Sequence, residues 1–119
     1  MMNSLLGEIL THIDIDEDND QIMLTTESGR KIMIYHNQDC CESVGIESVR
    51  GDCKKLIGKV ILVSDESIVF KGDPPSKYSD SWTRTTLTFQ VNDETVIVRW
   101  IGESNGYYSE SVDFQEFMV

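Results

Sequence analysis

The stretch Arg99-Trp100-Ile101-Gly102-Glu103-Ser104-Asn105-Gly106-Tyr107-Tyr108-Ser109-Glu110-Ser111-Val112-Asp113-Phe114 decides how the rest of the chain is read. Leading into it, Val96, Val98 and Trp100 alternate with Ile97, Arg99 and Ile101. That is the period of a strand with one buried face. Asn105-Gly106 is a strong hairpin signal, because both residues tolerate the positive φ of a type I′ turn. Beyond it, Tyr108, Glu110, Val112 and Phe114 alternate with Tyr107, Ser109, Ser111 and Asp113. The stretch is therefore expected to be a hairpin. It carries a lone cation, several aromatic rings and many hydroxyls, more than stability alone requires. It suggests a binding surface, and no reaction is legible in its spacing.

Outward from the hairpin, the same two-residue period recurs. Residues 82–91 read as a threonine-rich strand, turned by Asn92-Asp93-Glu94 into residues 95–101. Residues 71–81 hold Gly72, Pro74 and Pro75 and read as a loop able to act as a lid. At the other end, residues 8–15, a strand from Ile22 to Thr26, and residues 31–35 read as an antiparallel meander. Asn3 caps a short helical turn closed by Gly7. Val44 and Ile46 open a short strand ended by Gly51. Asp52 caps a short helix over residues 53–57, which Gly58 ends. Residues 59–64 read as a strand, extended after an irregularity to Phe70. The expected fold is α+β, mainly antiparallel β: one meander sheet with one or two short helices, in a single domain over residues 1–119.

The length, 119 residues, suffices for an independent core. No run approaches 18 apolar residues, so no membrane span is expected. Residues 1–10 lack the pattern of a signal peptide. The net charge of −11 argues against direct nucleic-acid binding, which draws its affinity from phosphate neutralisation by Lys and Arg. It fits an acidic surface that imitates a polyanion. Arg50, Lys54, Lys55 and Lys59 concentrate basic charge in one short segment. Cys40, Cys41 and Cys53 are an odd set. Adjacent cysteines rarely pair, and a cytoplasmic chain keeps all three reduced.

Each reactive constellation has a plainer reading. His36, Asp39, Cys40 and Cys41 include metal-ligand types, but their spacing is not that of a structural zinc site. A hydrogen-bonded loop is preferred. A Cys/His nucleophile lacks an oriented base. Asp14, Asp16 and Asp18 resemble the start of a calcium loop, but Asn19 and Thr25 stand where the glycine and the closing glutamate are needed. A solvated turn is expected. No metal, no cofactor and no catalytic residue is therefore assigned.

Arg99 is the sharpest single residue. Mid-strand, it needs either an ion pair with Glu103, Glu110 or Asp113, or a bound phosphate. Phe89 and Trp100 read as core. Trp82 and Tyr107 are better placed to stack on a base. Arg84 could add positive charge.

The blocks Tyr35-His36-Asn37-Gln38-Asp39-Cys40-Cys41-Glu42-Ser43-Val44, Gly51-Asp52, Leu56-Ile57-Gly58 and residues 99–114 resemble a family of small phage and prophage proteins, over residues 7–115. That family resembles the first type of Thoeris anti-defence protein, sponges that sequester cyclic ADP-ribose isomers made by bacterial TIR-domain enzymes. The resemblance implies a small antiparallel-sheet protein with short helices, in a homodimer or higher homo-oligomer. It implies ligand pockets between protomers and, for some members, separate sites for cyclic oligonucleotides. It implies action in the cytoplasm of an infected bacterial host. Only Arg99 and the block after it lie in the matching motif. The expected ligand-binding residues are Arg99 for phosphate, Trp82 or Tyr107 for the base, Asn105 and Ser109 for ribose or base, and Arg84 for local positive charge. The competing expectation is an acidic inhibitor that binds a host defence protein directly, as a DNA mimic.

Overall fold

Strands form wherever the period-two pattern lets one face be buried. In a computed structural model describing residues 2–69, 81–106 and 108–118, they are β1 (Leu10–Asp16), β2 (Gln21–Thr26), β3 (Arg30–Tyr35), β4 (Ser43–Arg50), β5 (Val63–Val69), β6 (Ser81–Gln90), β7 (Thr95–Ser104) and β8 (Asp113–Met118). The mainly antiparallel β architecture with short helices is as expected. The helices are 3-10 turns at Met2–Leu5 and Cys53–Leu56. Asp52 caps the second, accepting the Lys54 N–H at 3.1 Å. The 71–81 loop falls almost wholly outside the described residues, as does Tyr107.

The single sheet is corrected to two. Sheet I has the order β1-β2-β3-β8 and sheet II the order β4-β7-β6-β5, all antiparallel. The meander stops at β3. The reason is burial: each sheet carries one apolar face, and a single flat sheet would leave that face in water. Leu10, Ile22, Leu24, Ile32 and Ile34 of sheet I share one core cluster with Leu87, Phe89, Val96, Val98 and Trp100 of sheet II. Phe89 and Trp100 are core residues, as their alternation implied.

The expected hairpin is also corrected. β7 already pairs with β4 on one side and β6 on the other, so no edge is left for a returning strand. Gly106 has φ +94°, but Asn105 does not share the positive φ that a type I′ turn needs. Residues 108–112 cross to the other sheet, and β8 pairs with β3. The crossing passes close over β7. A Cβ on Gly102 would lie 2.6 Å from the Glu110 carbonyl oxygen, so only glycine fits there.

The path of β4 is corrected by one residue. Val44 and Ile46 face inward, which would carry Ser48 and Arg50 inward too. A bulge between Ile46 and Ser48 inserts Glu47 and resets the phase. Val49 then turns toward the core, and Ser48 and Arg50 turn outward. The strand expected from Lys59 begins at Val63 instead. Residues 60–62 are tied elsewhere: Ile61 exchanges backbone bonds with Gly7 and Glu8 at 2.9 Å, and Leu62 donates to Gln90 O.

Candidate functional site

The outer face of sheet II is built by register. Val96, Val98, Trp100 and Gly102 of β7 are buried, and Arg99 between them is exposed. Arg99 lies opposite Ser48 on β4 and Thr86 on β6. Arg50 lies opposite Ile97, and Arg84 opposite Ile101. Arg50, Arg99 and Arg84 are thus successive diagonal neighbours on three adjacent strands, with steps of about 7–8 Å. Ile97 and Ile101 flank Arg99 along β7. Thr86 and Thr88 supply hydroxyls beside it. Three of the four arginines in the chain stand on this one face.

Their partners differ. The fourth arginine, Arg30, is fully engaged: it bonds Glu116 at 2.6 Å, Glu8 at 3.3 Å and the Ser4 carbonyl at 2.8 Å. Arg84 stacks on Trp82, its Cζ 5.3 Å from the ring centroid, and meets Glu47 through Nε at 3.4 Å. Arg99 and Arg50 make no ion pair among the described residues. Glu110, offered as a partner for Arg99, instead accepts from Ser104 and Thr83. Burial pushes the Glu110 carboxyl up, and the hydroxyls of Ser104, Ser81 and Thr83 outweigh it, leaving the group below its ordinary value. Asp113 accepts the Asn37 N–H at 2.9 Å. The basic segment at residues 50–59 does not act as a unit, since Lys59 is held by Asp93 at 2.6 Å.

Of the expected ligand residues, the fold brings Trp82, Arg84 and Arg99 together. Trp82 is half-buried, and one ring face is already covered by Arg84. Asn105 and Ser109 sit apart, in the crossing from β7 to β8. Ser109 is exposed, its Oγ 2.7 Å from that of Ser111. It lines a shallow opening of about 260 Å³ with Asn37, Gln38, Asp39 and Asp113. Glu47 was not anticipated, and neither was the diagonal placement of Arg50. The bulge that turns Arg50 outward has no signature in the alternation.

The two long sequence blocks meet at this junction. Residues 36–42 cross from sheet I to sheet II, residues 108–112 cross back, and the two crossings are clasped side by side. His36 Nδ1 lies 2.7 Å from Ser111 O, and its Nε2 lies 2.9 Å from Glu42 Oε2. Each ring nitrogen thus faces an oxygen, one from each crossing. Glu42 also accepts from Cys40 N at 2.8 Å, Asp39 N at 2.9 Å and Gln38 Nε2 at 3.1 Å. Desolvation pushes its carboxyl up, but the bonds from Cys40, His36 and Asp39 prevail and hold it at about 2.

The hydrogen-bonded loop preferred over a zinc site is what forms. No cluster among the described residues has the makeup to hold a metal ion. The cysteine expectation is corrected, because the Cys40 and Cys41 sulfurs are joined to each other. Cys53 is a free thiol, pushed up by burial and by Asp52, the opposite of what a nucleophile needs. Asp16 caps the β1–β2 turn, accepting from Asp18 N and Asn19 N at 3.1 Å each.

Among the described residues no helix is long and apolar enough to cross a membrane. No curated protein and no solved structure matches the chain. The family model that matches, over residues 3–114, is described as a domain of unknown function, DUF7448. That match takes in β1 to β7, the start of β8, the clasp and the arginine stripe, and the chain belongs to the DUF7448 family.

Proposed function

We propose that the protein binds and sequesters a cyclic ADP-ribose-type nucleotide signal without cleaving it, as a phage anti-defence sponge. The observation that carries this reading is the gathering of Arg50, Arg99 and Arg84, with Trp82, on one sheet face of a chain whose net charge is −11. Two of those arginines have no carboxylate partner among the described residues. A guanidinium fork fits phosphate in bidentate fashion. In this reading Arg99 and Arg50 hold the pyrophosphate, and the threonine hydroxyls of β6 serve the ribose. The Trp82 ring, on the face away from Arg84, stacks on the base.

A sponge must reach nanomolar affinity, about −12 kcal/mol. A stacked base contributes about 1–3 kcal/mol, and a charge-assisted hydrogen bond about 1.5–3 kcal/mol. After the entropic cost of binding, one open face falls short of that sum. Closure of a second copy over the same face supplies the remainder, so the working form is a homodimer or a higher homo-oligomer.

Isothermal titration with cyclic ADP-ribose isomers tests the reading. Wild type binds at least one isomer, Arg99→Ala weakens binding by tenfold or more, on the order of one charge-assisted bond, and intact ligand is recovered after heat denaturation. Recovery of cleaved ligand would make the protein a hydrolase. Absence of heat and of any thermal shift, with salt-sensitive capture of a host defence protein instead, would favour the acidic inhibitor.

A further inference from the structure

Resting on that reading, we infer that Glu47 is the specificity-determining carboxylate of the arginine face. It occupies Arg84 until an anion with a second charged group displaces it. Glu47 is the extra residue of the β4 bulge, and its carboxylate reaches across β7 to an arginine on β6. The contact is one-sided: Glu47 Oε2 meets Arg84 Nε at 3.4 Å. The two terminal amino groups of Arg84 donate to nothing among the described residues. Both side chains are about one-third exposed, at 34% and 35%. An ion pair of that exposure contributes little and exchanges readily.

The three arginines therefore differ. Arg99 and Arg50 stand open to a first phosphate. Arg84, steadied on the Trp82 ring, is one diagonal step from Arg99 and carries a weakly bound internal competitor. A single phosphate engages the open pair and leaves Arg84 with Glu47. A diphosphate reaches one step further and must outcompete Glu47 for the guanidinium fork. The carboxylate thus sets a threshold that favours ligands with two adjacent phosphoryl groups over lone anions.

Inorganic pyrophosphate is the probe, titrated into the full chain at low salt with tryptophan fluorescence as the readout. Circular dichroism and Tm confirm that each variant is folded. Glu47→Gln is expected to tighten pyrophosphate binding about two- to fivefold, the range of an exposed ion pair. Asp65→Asn, opposite Thr88 at the sheet edge, removes the same charge away from Arg84 and is expected to change affinity by less. In an Arg84→Gln background the gain from Glu47→Gln is expected to vanish. Equal gains from Glu47→Gln and Asp65→Asn, or a gain that survives Arg84→Gln, would overturn the role of Glu47 alone. Pyrophosphate binding that is absent, or indifferent to Arg99→Ala, would overturn the nucleotide-binding reading and this inference with it.

Discussion

Four donors from Cys40, Asp39, Gln38 and His36 converge on the Glu42 carboxylate. At this residue the clasp becomes pH-sensitive. The folded carboxyl titrates at about 2, against an ordinary value of 4.5. A depressed carboxylate contributes stability that is complete above 4.5 and lost as pH falls from there through about 2. Urea midpoints measured from pH 7 to pH 2.5 are therefore expected to hold down to about pH 4.5 and then drop. Glu42→Gln is expected to lower the midpoint at pH 7 and to flatten that drop, because a protonation-inert amide leaves His36 facing a neutral group. A variant whose acid profile parallels wild type would show that other carboxylates govern it. Arg99 makes the complementary point. Its strand position was legible, but whether Glu110 neutralised it was not. That depended on the 108–112 crossing handing Glu110 to Ser104 and Thr83 instead.

At the scale of elements, strand patterning was largely legible and connectivity was not. β2, β3, β6 and β7 stand close to where their alternation places them, since each buries one apolar face. The hairpin expectation failed because Asn105-Gly106 specifies a turn but not the partner of the strand that follows. β7 had lost both edges to β4 and β6, so the chain crossed sheets. Gly102 marks that crossing. Gly102→Ala drives a Cβ to within 2.6 Å of the Glu110 carbonyl and 2.8 Å of its Cβ. It is expected to destabilise by about 1–3 kcal/mol, the ordinary cost of overpacking, read as a fall in the urea midpoint with unchanged m-value. A neutral result would mean that the crossing moves aside freely. The bulge at Glu47 is the second element-scale event. One inserted residue inverts the facing of β4 and converts Arg50 from a core intruder into part of the stripe.

At the scale of the molecule, the local stripe works against a global field. With a net charge of −11, a phosphorylated ligand is repelled at long range and attracted only near the arginines. Rising salt screens both terms, and the short contacts survive better than the long-range repulsion. Ligand affinity is therefore expected to hold within about threefold between 50 and 150 mM salt, with no steep decline. A steep decline like that of nucleic-acid binding would show that the stripe acts as a diffuse basic patch. The sequence by itself determined the strand periods, the glycine and aspartate punctuation, the core identity of Phe89 and Trp100 and the unusual charge. These follow from local sterics and from the need of each strand to bury one face. Only the tertiary structure decided that there are two sheets, that the two motif blocks form a clasp, and that Arg50, Arg99 and Arg84 align. Strand partners are chosen by which edges remain free and which apolar faces remain uncovered, and both are properties of the whole chain.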